Sequence, residues 1–133
     1  MKLAAVGLAA GLALAAASGG ADGGGRTVTL TIRHSRFSVS QLRVHPGERV
    51  RFVVRNTDPI AHELIIGDQT VQTFHELGTE AHHGDRPGEI SVPAGETAET
   101  TYRFGSAAGA PVLFGCHLPG HWAFGMHGTV RVG

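Results

Sequence analysis

The chain holds one cysteine, one lysine, one tryptophan and one tyrosine in 133 residues. A single thiol excludes an internal disulfide, so a domain of about 110 residues must rest on its apolar core, helped at most by a bound metal. Lysine is confined to Lys2, the arginines are scattered, and 11 basic residues balance 11 acidic ones. No clustered positive face stands ready for phosphate, which sets nucleic-acid binding aside. No internal repeat is present. The one long apolar run, residues 3–17, falls short of the roughly 20 residues that cross a bilayer. With Met1-Lys2 ahead of it and Ala15-Ala16-Ala17 at its end, it reads as an export signal spanning 1–17. No cysteine follows, which excludes a lipid anchor, and 18–25 reads as a flexible glycine-rich leader. The expected mature protein is exported to the periplasm or beyond the cell, monomeric, and without a membrane span.

Glycine is abundant, with 20 residues, and Val, Thr and Phe come in short runs. That composition favours short strands and many turns. Val28, Leu30 and Ile32 alternate with polar residues, as do Val50, Phe52 and Val54, the period of a strand with one buried face. Further strands are expected around Leu42 and Val44, over Ala61–Gly67, Glu89–Val92, Thr97–Phe104, Pro111–Cys116 and Gly128–Val132. His45-Pro46-Gly47-Glu48 and Pro93-Ala94-Gly95-Glu96 are turns between them. Val71, Phe74 and Leu77, three apart, predict a short helix in a long loop, with Asp68 or Thr70 as cap and Gly78 as stop. The fold class is all-β: a Greek-key sandwich of seven or eight strands in one domain, 26–133.

The chemistry gathers near the C-terminus. Cys116, His121 and Met126 stand five apart on one loop, and Pro119-Gly120 supplies a bend that turns them toward one point. A lone thiol in an oxidising compartment is exposed to oxidation unless something occupies it. His62, at a strand start beside a proline-containing loop, is the best-placed fourth donor. Two imidazoles and a thiolate in a trigonal set, with a weak axial thioether, suit one type 1 copper ion. Zinc is the competitor, but its structural sites take four strong ligands and methionine is a poor fourth. A buried inert thiol is the blander reading of Cys116, and the full spacing weighs against it.

Cys-x4-His-x4-Met with Pro-Gly before the histidine, preceded by a strand-opening histidine, resembles the cupredoxins over Arg26 to Val132. The resemblance implies copper on His62, Cys116, His121 and Met126. Within the family the pattern is closest to small exported cupredoxins linked to bacterial copper resistance. One departure concerns Glu63: plastocyanins and azurins usually carry Asn after the first histidine, bracing the cysteine loop. His117 directly follows the cysteine, as in multicopper oxidases, but Gly115 precedes it and no His-x-His pair exists for a trinuclear cluster. Oxidase chemistry is therefore set aside, no enzyme activity is expected, and His117 is read as a surface or structural residue.

Two uses of the copper are open. As an electron carrier, the protein would dock a redox partner near His121 with Trp122 and Phe124 as an apolar patch, unless those aromatics are core. As a copper-tolerance or buffering protein, it could hold a second Cu or Zn on the 75–85 loop, where His75, Glu76, His82, His83 and Asp85 crowd together. A solvated polar loop is the alternative there. A third possibility is a copper-free interaction sandwich, in which the ligand spacing is coincidence. His34, His45 and His127 have no evident partner, although His127 adjoins Met126.

Overall fold

The structure is a computed structural model that describes residues 25–78, 80–84, 86–107, 109 and 111–133. The expected signal, the leader up to residue 24, and Asp85 lie outside the described residues. Among the described residues, eight strands form two sheets. The smaller sheet has the order β1 (Arg26–Ile32), β3 (Arg49–Asn56), β6 (Thr97–Arg103), with β1 parallel and β6 antiparallel to β3. The larger runs β2 (Gln41–Val44), β8 (His127–Val132), β7 (Val112–Gly115), β4 (His62–Gly67), β5 (Glu89–Val92). In it only the β2–β8 pair is parallel. Both sheets are mixed, as the expected sandwich allows.

The alternation seen in sequence works as a core-facing device. Leu30, Ile32, Val50, Phe52 and Val54 point inward from the small sheet and meet Leu64, Ile66, Val92, Phe114 and Val130 from the large one. Each such side chain contributes ~1.5–3 kcal/mol when fully buried, which is how the domain stands without a disulfide. No helix among the described residues is long and apolar enough to cross a membrane.

Strand β4 is buried at all six positions. Successive residues of a strand point to opposite faces, so His62, Leu64 and Ile66 face the sandwich interior while Glu63 and Ile65 face out. The outward face is covered by α1 (Gln69–Glu76). Asp68 caps this helix by accepting from the Val71 N–H at 3.0 Å, and Gly78, at φ 72°, ends it, as the sequence predicts. The face is another matter. Phe74 and Leu77 are exposed, and the residues turned inward are Gln72 and His75. The Gln72 amide donates to the carbonyls of Ile65 and Leu113 at 3.2 Å each, so the helix docks through hydrogen bonds to the sheet backbone. A second helix, α2 (His121–Phe124), was not expected; left-handed Gly120 and Gly125 bound it at φ 82° and 107°.

Candidate metal centre

His62 opens β4, Cys116 follows the last residue of β7, and His121 is the first residue of α2. These positions bring three donor atoms within 4.8 Å of one another. His62 Nδ1 lies 3.2 Å from His121 Nδ1, which lies 3.3 Å from Cys116 Sγ. Such separations match donors that share one ion at about 2 Å. Met126 is fully buried in the core cluster that contains Cys116. The loop that carries three of the four residues closes on itself: the Cys116 N–H donates to the Met126 carbonyl and the Met126 N–H to the His121 carbonyl, both at 3.1 Å. His62 and Cys116 are sealed at 1% and 0% exposure, whereas His121 is partly exposed.

The second nitrogen of His62 is held by a residue the sequence reading passed over. Asp58 Oδ2 lies 2.8 Å from His62 Nε2, which leaves Nδ1 to face the other donors. Asp58 is itself fixed by the backbone N–H groups of His34 at 2.7 Å and Ser35 at 2.8 Å. Both residues adopt left-handed backbone, φ 52° and 53°, and cup the carboxylate between successive N–H groups. Burial alone would raise the Asp58 pKa, but the N–H donors of Ser35 and His34 and the His62 ring outweigh it and hold the carboxyl below its ordinary value. Asn56 locks the turn, donating to the Ile60, Val92 and Pro93 carbonyls and accepting from the Asp58 N–H. The Asx-rich Asn-Thr-Asp-Pro turn four residues ahead of His62 was the available signal.

Two titrating donors are pre-set for a metal in different ways. Burial, then the neighbouring His62, lowers the His121 pKa, so its ring presents a lone pair at neutral pH. Burial pushes the Cys116 thiol up to about 11, with Glu63 and Glu76 adding to the rise and the N–H groups of Leu118 and Glu63 opposing it. A thiol held neutral in an apolar wall becomes a thiolate when a cation arrives to replace its proton.

Glu63 does brace the cysteine loop: its Oε1 accepts the His117 N–H at 2.8 Å. His117 is buried rather than on the surface, with Nε2 2.7 Å from Gln72 Oε1 and Nδ1 against Glu76. Its ring stacks on Trp122 at 4.8 Å and 10°, and Trp122 in turn on His127 at 4.4 Å and 20°. Gly115 makes room for this column, since a Cβ there would come within 2.4 Å of the indole. Trp122 is thus packed between imidazoles, while Phe124 is 57% exposed with the Arg36 guanidinium 4.7 Å above its ring.

The 75–85 loop partly departs from the sequence reading. His75 and His83 come together with Glu80 and Glu89. Glu76 turns to His117 instead, and His82 is exposed outside that donor set.

Thiol, imidazole and thioether donors at one end of a mixed-sheet β-sandwich fit a copper ion by their chemistry, and they define a cupredoxin-like protein. The chain belongs to the cupredoxin-like domain family, whose pattern matches residues 3–83, a span that includes His62 and stops short of the cysteine loop. It is similar to the copper-resistant cuproprotein CopI of Rubrivivax gelatinosus, 35% identical over 112 residues, 80% of this chain and 66% of that protein. The chain thus spans just under two thirds of that relative's length. The copper-resistant cuproprotein CopI of Pseudomonas aeruginosa is 26% identical over 139 aligned positions, 80% of this chain and 76% of that protein. Among solved structures, the dithionite-reduced auracyanin of Roseiflexus castenholzii superposes with TM-score 0.67 at 19% identity, over 80% of this chain and 96% of that one, a likeness of fold.

Proposed function

We propose that the protein is an exported, non-enzymatic type 1 copper protein that serves copper resistance, with His62, Cys116, His121 and Met126 as ligands. The convergence of two imidazole nitrogens and one thiol within 4.8 Å, with His62 and Cys116 buried and His121 at the rim, carries this reading. The names of the CopI relatives support the resistance role, and the apolar run at residues 3–17 supports export. Copper held there would supply a one-electron couple, and the donor set would be the sink for that soft cation. The chain's part is to keep the donors in place: Asp58 orients His62, the two loop hydrogen bonds fix Cys116 and Met126, and the core excludes water. His121 is the donor nearest solvent, and the exposed Phe124 favours this rim as the place where a redox partner or copper donor docks.

The test is a Cu(II) titration of the metal-free protein. One equivalent is expected to raise an intense visible thiolate-to-copper band, absent from Cys116→Ser, and a copper-sensitive host is expected to regain growth with the wild-type chain only. A band that survives in Cys116→Ser sinks the centre. Failure of the wild-type chain to restore growth sinks the resistance role, and rescue by Cys116→Ser detaches that role from the centre.

A further inference from the structure

Behind β4, on the face opposite the thiol, His75 and His83 point two buried nitrogens at a common space. His75 is 5% exposed and its Nδ1 donates to the Val71 carbonyl at 2.9 Å, which leaves Nε2 facing the cluster. His75 Nε2 lies 3.3 Å from Glu89 Oε2. His83, 4% exposed, places Nδ1 3.1 Å from Glu80 Oε2 and 3.5 Å from Glu89 Oε2. None of these carboxylate contacts has hydrogen-bond geometry: among the described residues His75 Nε2 and His83 Nδ1 are buried without a hydrogen-bond partner. Buried polar atoms are nearly always paired, so two orphans aimed together require an explanation.

We infer that these four residues form a second metal site, for a borderline divalent cation, Zn(II) or Cu(II), held by two imidazoles and two carboxylates. The donor spacings of 3.1–3.5 Å agree with the edge of a tetrahedron whose ligands stand at about 2.0–2.1 Å from zinc, an edge of about 3.3 Å. No sulfur is present, which disfavours Cu(I). The frame is pinned: the His83 N–H donates to Ser91 Oγ at 2.9 Å and the Ser91 N–H to the His83 carbonyl at 3.0 Å, so this part of the loop rides on β5. An open recess bordered by Glu80, His83, Arg86 and Glu89 gives an ion a way in. Arg86, 61% exposed, pairs with Glu80 at 2.8 Å and is the cation an incoming metal would displace. The other nitrogen of His83 lies 3.3 Å from Glu63 Oε2, the same carboxylate that braces the cysteine loop.

The competing occupant is a proton on each imidazole, which would make the cluster an ion-pair network. Zinc titration of the full chain, followed by calorimetry and by metal analysis after gel filtration, separates the two. Wild type is expected to hold one zinc that Cys116→Ser retains. His75→Gln and Glu80→Gln are expected to lose zinc affinity by about 10- to 100-fold or more while keeping the thiolate-to-copper band. Glu80 is partly exposed, so its variant keeps the test alive if His75→Gln does not fold. Zinc binding unchanged in Glu80→Gln and His75→Gln, or no retained zinc in Cys116→Ser, overturns the site.

Discussion

Adjacent residues of β4 serve two donor groups of opposite character. His62 faces inward to a thiol and an imidazole, beside the core cluster that holds Met126; Glu63 faces outward to His83 and, through it, to an oxygen-rich cluster. The inner group sits in the apolar core and is closed by backbone hydrogen bonds within one loop. The outer group sits between a helix and a loop laid on β5, under an arginine. The contrast follows from the period of two: one step along a buried strand exchanges a water-free environment for a polar one. It also assigns different metals, since softness selects copper inside and nitrogen with oxygen suits zinc or Cu(II) outside.

The largest expected separation between the two regions comes from truncating the carboxylate behind each. Asp58→Ala orphans the His34 and Ser35 N–H groups, removes the partner of His62 and leaves two left-handed residues without their anion. Hydrogen bonds to a charged group are worth ~1.5–3 kcal/mol each, so a loss of roughly 3–5 kcal/mol is expected in urea unfolding of the metal-free protein. Copper affinity should fall by about 10- to 100-fold as His62 loses its orientation. Glu80→Ala, on the solvent side of the outer group, should cost under about 1 kcal/mol. Equal costs for the two would mean that Asp58 is not the anchor that the geometry makes it.

The inner group was far more legible in sequence than the outer one. Cys116, His121 and Met126 are local, so their spacing survives folding, and His62 could be chosen by its place at a strand start. Alternation gave β1 and β3 because each has one buried face. The outer group depends on tertiary placement: Glu80 and Glu89 meet His75 and His83 only because the loop pairs through Ser91. No spacing encodes that. The face of α1 was misread for a related reason, because the periodic Phe74 and Leu77 look like a core stripe while the sheet is engaged by Gln72 and His75. Helix α2 has only glycines at its ends and no side-chain cap, so nothing in propensity announces it.

A pH series on the metal-free chain should divide the regions next. The folded thiol of Cys116 titrates near 11 against 9.0 in the ordinary range. Between those values the unfolded chain releases a proton that the folded chain keeps. The Cys116 contribution is therefore intact below pH 9 and is lost as pH rises toward 11, by about 3 kcal/mol for the two-unit shift. Asp58 and His121 have lowered folded pKa values, so their contributions are present above 3.8 and 6.5 and are lost as pH falls below them. Burial, then Asp68, raises the Tyr102 pKa above 10.0 as well, so Cys116→Ser should remove only the part of the alkaline limb that begins near pH 9, and Glu80→Gln should leave the whole limb unchanged. A limb that still begins near pH 9 in Cys116→Ser would place its origin elsewhere.

The smallest expected effect is the most instructive, because it falls on the residue that both regions share. Glu63→Gln keeps an oxygen for the His117 N–H, so the cysteine loop stays braced and the thiolate-to-copper band should keep its intensity. It removes the charge beside His83 Nε2, and zinc affinity should fall by about tenfold. Unfolding free energy should change by only ~1 kcal/mol. Glu63→Ala orphans the His117 N–H as well, so the copper band should weaken along with zinc binding. If Glu63→Gln abolishes the copper band, the carboxylate serves the inner centre through its charge rather than through one accepted hydrogen bond. If Glu63→Ala leaves both metals untouched, the two donor groups on β4 are neighbours without a shared support.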